Sequence, residues 1–402
     1  MKKYFIFYEE SMIERGVDNV SVYNLINTNI YYFDKPWEVA LIDGLSSSIE
    51  LDLLVEKISN SYHIESKAVL QFIKQLEEAH LGVISNSAIV KLDLVKPQYW
   101  RDLIFFKTPL SLSKVFIYFG GNCHKKCIHC NSDTIISEKR CYSCSGGKSN
   151  PSIAQVDQMI EIAKNSNCKD LILIGGDLLQ NKSPLSHILD IVQNDMSTTV
   201  IAGFQKDYDK NIINVLAQCS KLQLEVFPED LRTPSFEEFS NKMVNISANL
   251  YVNVLSSSAK EYPNQLLPVF VQRSYETIHT VRLVERNKLE QVLAEEERFI
   301  PATNCDDYMY KTVFNTCMNG VLTLKNNESL YVCPKIEDTY LGKIDDCATV
   351  LEGKNINKFW KLSKRKIPHC KNCSLNKTCL DCRYLAYFLY GDLNKMYPCE
   401  KI

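Results

Sequence analysis

Between residues 114 and 298, apolar runs of strand length alternate with stretches of helical periodicity, and nothing else in this 402-residue chain restricts its fold as tightly. Strand candidates lie at 115–119, 170–174, 199–202, 222–227, 250–255 and 280–284, with helical stretches at 153–165, 184–193, 209–217, 236–243 and 288–298. A helix-length connection carries the chain back across the sheet, so successive strands run parallel, whereas tight turns would make them antiparallel. Six such strands predict an α/β sheet, curled or open, with any ligand at the C-terminal ends of its strands.

The flanks follow other rules. Residues 1–90 predict short strands at 4–8, 20–23 and 30–33, two or three helices including 47–59 and 65–81 with Ser66 as a cap, and a closing strand at 81–84. Pro97 and Pro109 break residues 91–113 into a linker. From 301 to 402 short strands, turns and cysteines take over, including a hairpin that turns at Asn326-Asn327. The chain exceeds one ordinary core, and 1–90, 91–113, 114–300 and 301–402 are its expected divisions. A net charge of −2 provides no basic field for nucleic acid, and no apolar run has the length to cross a membrane. The opening MKKYFIFY reads as a strand rather than a signal peptide, because Glu9 and Glu10 cut the apolar run short. A cytoplasmic location is therefore expected, where 16 cysteines point to metal binding more than to disulfides.

The cysteines are placed to match. Just past the first strand of the alternation, after Gly120-Gly121, stand Cys123, Cys127 and Cys130, a C-x3-C-x2-C run with His129 before its last member. Three thiolates on one loop can hold three irons of a cubane cluster and leave the fourth open to a substrate or cofactor. A zinc or simple redox site is the alternative. The second strand ends in Ile174-Gly175-Gly176-Asp177, where the missing Cβ atoms allow a ligand close to the backbone. Cys141 and Cys144 form a further C-x2-C pair near the triad, open to a metal, a redox pair, a local disulfide or an inert lid. Cys168 and Cys219 read as ordinary buried thiols. Glu225, Asn253, Arg282 and Glu285 lie on predicted strands and read as structural or solvated polar residues.

The triad and the Gly-Gly-Asp corner resemble the radical S-adenosylmethionine (SAM) enzymes, although Asp177 stands where that family has Glu more often. The resemblance implies a partial (β/α)6 barrel with a [4Fe–4S] cluster on Cys123, Cys127 and Cys130, and SAM held at Gly175, Gly176 and Asp177. Cys317, Cys333, Cys370, Cys373, Cys379, Cys382 and Cys399 then resemble the SPASM domain of peptide-modifying members, which carries two auxiliary [4Fe–4S] clusters. By position, Cys317, Cys333 and Cys382 fall to the first, with Cys305 as a fourth ligand or an open site, and Cys370, Cys373, Cys379 and Cys399 fall to the second. Two departures stand out: Cys379 and Cys382 are separated by two residues instead of three, and Glu328 replaces an expected glycine. A zinc domain using four of these cysteines is the alternative.

The N-terminal strands and helices resemble the small winged-helix domain that takes a leader peptide as an added strand. The ending Cys382-Arg-Tyr-Leu-Ala-Tyr resembles maturases of Bacteroidetes-type peptide systems, including the grasp-with-spasm group. Together these resemblances imply a ribosomally made precursor peptide as substrate and a flavodoxin or ferredoxin as electron donor. A 5′-deoxyadenosyl radical would take hydrogen from the peptide, giving a thioether, C–C or other crosslink, or an epimer if Cys141 or Cys144 returns a hydrogen atom. A catalytically inactive scaffold of the same fold, and a radical SAM enzyme acting on a protein or small molecule, are the alternatives.

Overall fold

The computed structural model describes residues 2–47, 49–87, 111–119, 123, 130, 134–136, 143–144, 149–180, 182–192, 195–244, 249–256, 278–295, 302–379 and 381–396. The N-terminal unit runs β1 (Tyr4–Phe7), β2 (Ser11–Arg15), β3 (Val20–Asn24), β4 (Ile30–Phe33), α1 (Pro36–Leu45), α2 (Leu51–Tyr62), α3 (Ser66–Glu78) and β5 (Gly82–Ser85). Strands β2, β3 and β4 form an antiparallel sheet, while β5 returns to pair antiparallel with β1. Leu51, Leu54, Val55 and Ile58 on α2 and Val69, Phe72, Ile73 and Leu76 on α3 recur at helical spacing, and all are buried in one core with Phe5, Phe7, Val20 and Val22. Two elements lie outside the expected bounds. Strand β2 has only Met12 and Ile13 as apolar signal, and α1 begins on Pro36, whose fixed φ suits a first helical position. Ser66 is not a cap: it is already helical, Glu65 holds the cap position, and the Ser66 hydroxyl lies 3.1 Å from that of Ser59.

The alternation continues as β6 (Lys114–Tyr118), β7 (Thr134–Ile136), α4 (Ile153–Asn165), β8 (Asp170–Gly175), α5 (Lys182–Val192), β9 (Ser197–Gly203), α6 (Ile212–Leu216), β10 (Lys221–Val226), α7 (Pro234–Val244), β11 (Asn249–Ser256), β12 (Ile278–Glu285) and α8 (Arg286–Glu295). All six expected strands are present, and β6, β8, β9, β10, β11 and β12 lie side by side in chain order, every pair parallel. Side chains from α4, α5, α6 and α7 share one core with Val115, Ile117, Leu171, Leu173, Val200, Leu222, Leu224 and Val252. Chain-order strands with their helices on one face have the winding of a barrel, not of a doubly wound sheet. The opposite face divides in two. Phe116, Tyr118, Ile172, Ile174 and Ile201 make it apolar on β6, β8 and β9, whereas Gln223, Glu225 and Asn253 make it polar on β10 and β11. Cys168 and Cys219 are buried, each thiol near a carbonyl oxygen, as ordinary core thiols.

The remaining elements are α9 (Cys305–Val313), β13 (Val321–Lys325), β14 (Ser329–Tyr331), β15 (Tyr340–Lys343), α10 (Cys347–Glu352), α11 (Lys354–Trp360) and α12 (Arg383–Tyr390). Asn326 and Asn327 both adopt positive φ, the pair of left-handed residues that lets two antiparallel strands turn tightly between β13 and β14. Strand β13 also pairs in parallel with β6, so the hairpin and β15 extend the central sheet, and β7 closes its other edge antiparallel to β12. Among the described residues the sheet has ten strands.

The N-terminal sheet rests on the cysteine-rich end of the chain. The buried Tyr23 hydroxyl donates to the Ser374 carbonyl at 2.7 Å, and Ser21 Oγ donates to Ser374 Oγ at 2.9 Å. Tyr23 and Tyr308 meet edge to face with ring centroids 5.4 Å apart, and Glu14 accepts from both Tyr308 and Arg365. Tyr23→Phe strands a buried carbonyl, so we expect it to lower the unfolding free energy by about 1 kcal/mol in urea titrations, with an unchanged slope.

Candidate functional site

The sheet delivers several polar groups to the C-terminal ends of β6, β8, β9 and β10. Strand β6 runs out at Phe119, whose N–H donates to the Ile174 carbonyl at 2.6 Å. Gly175 then packs so tightly that a Cβ there would lie 2.1 Å from the Phe119 carbonyl oxygen. A Cβ on Gly176 would lie 2.5 Å from Cys123 Sγ. The glycine pair is therefore needed to seat the first cysteine of the triad against the end of the neighbouring strand. Gln205, just past β9, joins the two: its Nε2 donates to the Gly176 carbonyl at 2.7 Å and lies 3.9 Å from Cys123 Sγ. Asp177 is buried, and its carbonyl accepts from the Gln180 N–H at 2.9 Å.

Cys144 belongs to the same group. It is 7% exposed, and its backbone N–H donates to Glu225 Oε2 at 3.0 Å. Its thiol also faces Gly203, at 3.5 Å from where a Cβ on that residue would stand. Burial pushes the Cys144 thiol well above its ordinary value, and the adjacent Glu225 and Cys130 push the same way while Lys335 opposes them. Raising a thiol's pKa keeps it protonated at pH values where an exposed thiol ionises. We expect iodoacetamide near pH 8.5, the ordinary thiol pKa, to label the exposed Cys305 and Cys317 of native, metal-stripped protein and to spare Cys144, as read by peptide mass spectrometry.

Of the two readings expected for Glu225 and Asn253, structural or solvated, their burial excludes the second. Neither is solvated: they sit opposite each other in the parallel register of β10 and β11, so both point to the same inner face. Asn253 is fully buried, and neither its Oδ1 nor its Nδ2 has a hydrogen-bond partner among the described residues. A buried, unsatisfied amide costs roughly 1–3 kcal/mol, which a ligand with a donor and an acceptor would recover. The signal was the alternation in Leu222-Gln-Leu-Glu-Val, which places Gln223 and Glu225 together on the face away from the helices. Gln205 had no such signal, because it follows its strand. Glu285 is exposed and paired with Lys288 at 3.0 Å, as expected of a solvated residue. The side chain of Arg282 lies outside the described residues, as do Cys127, Cys141 and Cys399.

The C-terminal cysteines form two neighbourhoods. Cys333 and Cys382 are both buried, and both lie within electrostatic reach of the half-buried Tyr384. Thr339 Oγ1 accepts from the Cys333 N–H at 3.0 Å and pins that turn. Cys317 is exposed near the same end of the chain, and Cys305 is exposed at the start of α9. In the second neighbourhood Cys370 and Cys373 lie in consecutive tight turns, the Cys373 N–H donating to the Cys370 carbonyl at 3.1 Å. Burial pushes the Cys370 thiol up to about 12, against the pull of Lys364 and Arg383. Among the described residues, no three His, Cys, Asp or Glu side chains converge closely enough to hold a metal ion. The donor chemistry nonetheless suits anionic metal–thiolate centres, since thiols and buried cations with no hydrogen-bond partner occupy the same turns.

No protein-family model matches the sequence, and no curated protein matches it. Among solved structures, Streptococcus suis SuiB bound to S-adenosylmethionine is similar over 98% of both chains, at 9% identity and a TM-score of 0.42. At that score the likeness establishes neither fold nor function. No described helix is long and apolar enough to cross a membrane.

Proposed function

We propose that this protein is a radical SAM enzyme that modifies a ribosomally made peptide. The observation that carries the reading is the seat of Cys123: it lies against Gly176, bridged by Gln205, at the C-terminal end of a parallel sheet wound in chain order. Cys123, Cys127 and Cys130 would hold a [4Fe–4S] cluster, and the backbone of Gly175 and Gly176 with Asp177 would hold SAM. When bound, that pair supplies one-electron cleavage of a sulfonium and a hydrogen-abstracting radical. The protein's own part is to orient the ligands and exclude water, and the buried Glu225 and Asn253 offer polar contacts in the sheet interior. Cys305, Cys317, Cys333 and Cys382, and Cys370, Cys373, Cys379 and Cys399, would hold two auxiliary clusters that relay electrons.

Cys144 favours one outcome among several. Its buried thiol, beside Glu225 at the strand ends, would return a hydrogen atom to a carbon radical on the peptide. The thiyl left behind would take an electron from a flavodoxin- or ferredoxin-type donor and a proton from solvent. Reaction of the reconstituted enzyme with SAM, dithionite and its precursor peptide in D2O tests this. Epimerisation incorporates deuterium without loss of hydrogens, whereas ring closure loses a hydrogen pair. We expect Cys144→Ala to abolish deuterium incorporation while 5′-deoxyadenosine release continues. The precursor's leader would bind the N-terminal unit, residues 1–90, as an added strand on a sheet edge.

A further inference from the structure

The second cysteine neighbourhood carries more positive charge than its surroundings can satisfy. Lys364 is only 3% exposed, and its ammonium has no hydrogen-bond partner among the described residues. It occupies a short helical turn directly before Cys370: the Ile367 N–H donates to the Lys364 carbonyl, and the Cys370 N–H donates to the Ile367 carbonyl, both at 3.0 Å. Its charge acts on the Cys370 thiol. Arg383, 1% exposed, acts on the same thiol from the start of α12, with one carboxylate, Asp381, beside it at 2.6 Å. Lys311 approaches from α9, where it feels both Lys364 and Cys379. The Ser363 hydroxyl ties the Lys364 turn to α9 by donating to the Thr312 carbonyl at 3.4 Å.

Three cations thus act on two thiols, and the two carboxylates in reach, Asp381 and Asp307, do not balance them. Lys377 shows the contrast. It too is fully buried and feels a second cation, Arg365, but its ammonium lies over the Tyr308 ring at 5.7 Å, with Glu14 nearby. Lys364 has neither. An isolated buried ammonium is costly, and burial beside a second cation compounds the cost, so the site calls for an anion that the chain's own carboxylates do not supply. Deprotonated thiolates around a metal centre are such an anion, because their combined charge outweighs that of the metal core.

We infer that Lys364, Arg383 and Lys311 are the counter-charges of an anionic metal–thiolate centre on Cys370, Cys373 and Cys379. This rests on the cluster reading above but concerns residues that reading does not use. A fixed positive charge at Lys364 stabilises the more negative, reduced state of such a centre and stabilises the loaded protein. In the metal-free protein the same charge destabilises.

The test is full-length Lys364→Met, with Lys364→Arg as the conservative variant, each compared with wild type after anaerobic reconstitution and after metal stripping. We expect the loaded Met variant to be less stable to urea than wild type, and the stripped Met variant to be more stable. The reduced fraction of its centre at fixed potential should fall about tenfold, a shift of about 59 mV to lower potential for one electron. Lys364→Arg should restore both. Equal stabilities and equal potentials in the Met variant and wild type would overturn the inference, as would a stripped Met variant less stable than wild type. So would equal metal content in wild type and a Cys370→Ala/Cys373→Ala/Cys379→Ala variant. Zinc in place of iron would remove the potential shift but keep the reversal of stabilities, which supports the counter-charge role and ends the redox role. Triad iron and 5′-deoxyadenosine release, read on the same samples, judge the enzyme reading separately.

Discussion

With Cys123, Cys127 and Cys130 all replaced by alanine, the reconstituted protein will release no 5′-deoxyadenosine from SAM and will hold about four fewer irons than wild type, out of roughly twelve. The reason is local. Cys123 is seated by Gly176 and Gln205 at the end of the sheet, and no other described residue places a thiol against that glycine corner. Cys144 lies nearby, but its thiol faces Gly203 on the next strand and its backbone N–H is held by Glu225. The fold should survive, because the core of the sheet lies between the opposite face of the strands and the helices that pack on it. Iron assay, SAM turnover and the urea midpoint measured together separate a lost cluster from a lost fold. A variant that keeps full iron and still cleaves SAM would end the proposal, and zinc with little iron in wild type would do the same.

The second large effect is expected from a single methyl group. Gly176→Ala places a Cβ 2.5 Å from Cys123 Sγ, a distance that packed atoms do not tolerate, and 3.2 Å from its Cβ. Either the cysteine or the strand end must move, and a displacement of about 1 Å at a reacting centre costs on the order of a hundredfold in rate. Gly203→Ala is the matched control. It sits on the next strand at the same end of the sheet, yet its nearest neighbour, Cys144 Sγ, would be 3.5 Å away, an ordinary contact. We expect 5′-deoxyadenosine release to fall about a hundredfold in Gly176→Ala and less than severalfold in Gly203→Ala. If the two variants lose activity equally, the site is not built around the Gly176–Cys123 contact.

The two regions of the chain differ in how much of this was readable beforehand. All six parallel strands, their helices and the Asn326-Asn327 hairpin follow from local periodicity and turn chemistry, because each depends on residues adjacent in the chain. The Gly175-Gly176 corner was legible for the same reason. Strand β2 was not, since a short strand with two apolar residues has no distinctive pattern.

What the sequence determined by itself is the list of groups: a triad of cysteines after one strand, glycines after the next, and a second population of cysteines near the C-terminus. Their chemistry follows from residue type and spacing. Which of them meet was decided only by the tertiary structure. Gln205 reaches Cys123 and Glu225 reaches Cys144 because parallel strands bring residues 82 and 81 positions apart to one edge. Lys364 and Arg383 act on Cys370, and Lys311 on Cys379, because separate elements fold onto this end of the chain. The side chains that hold a buried charge in place are drawn from anywhere in the chain, and electrostatic pairing leaves no period for a sequence to display.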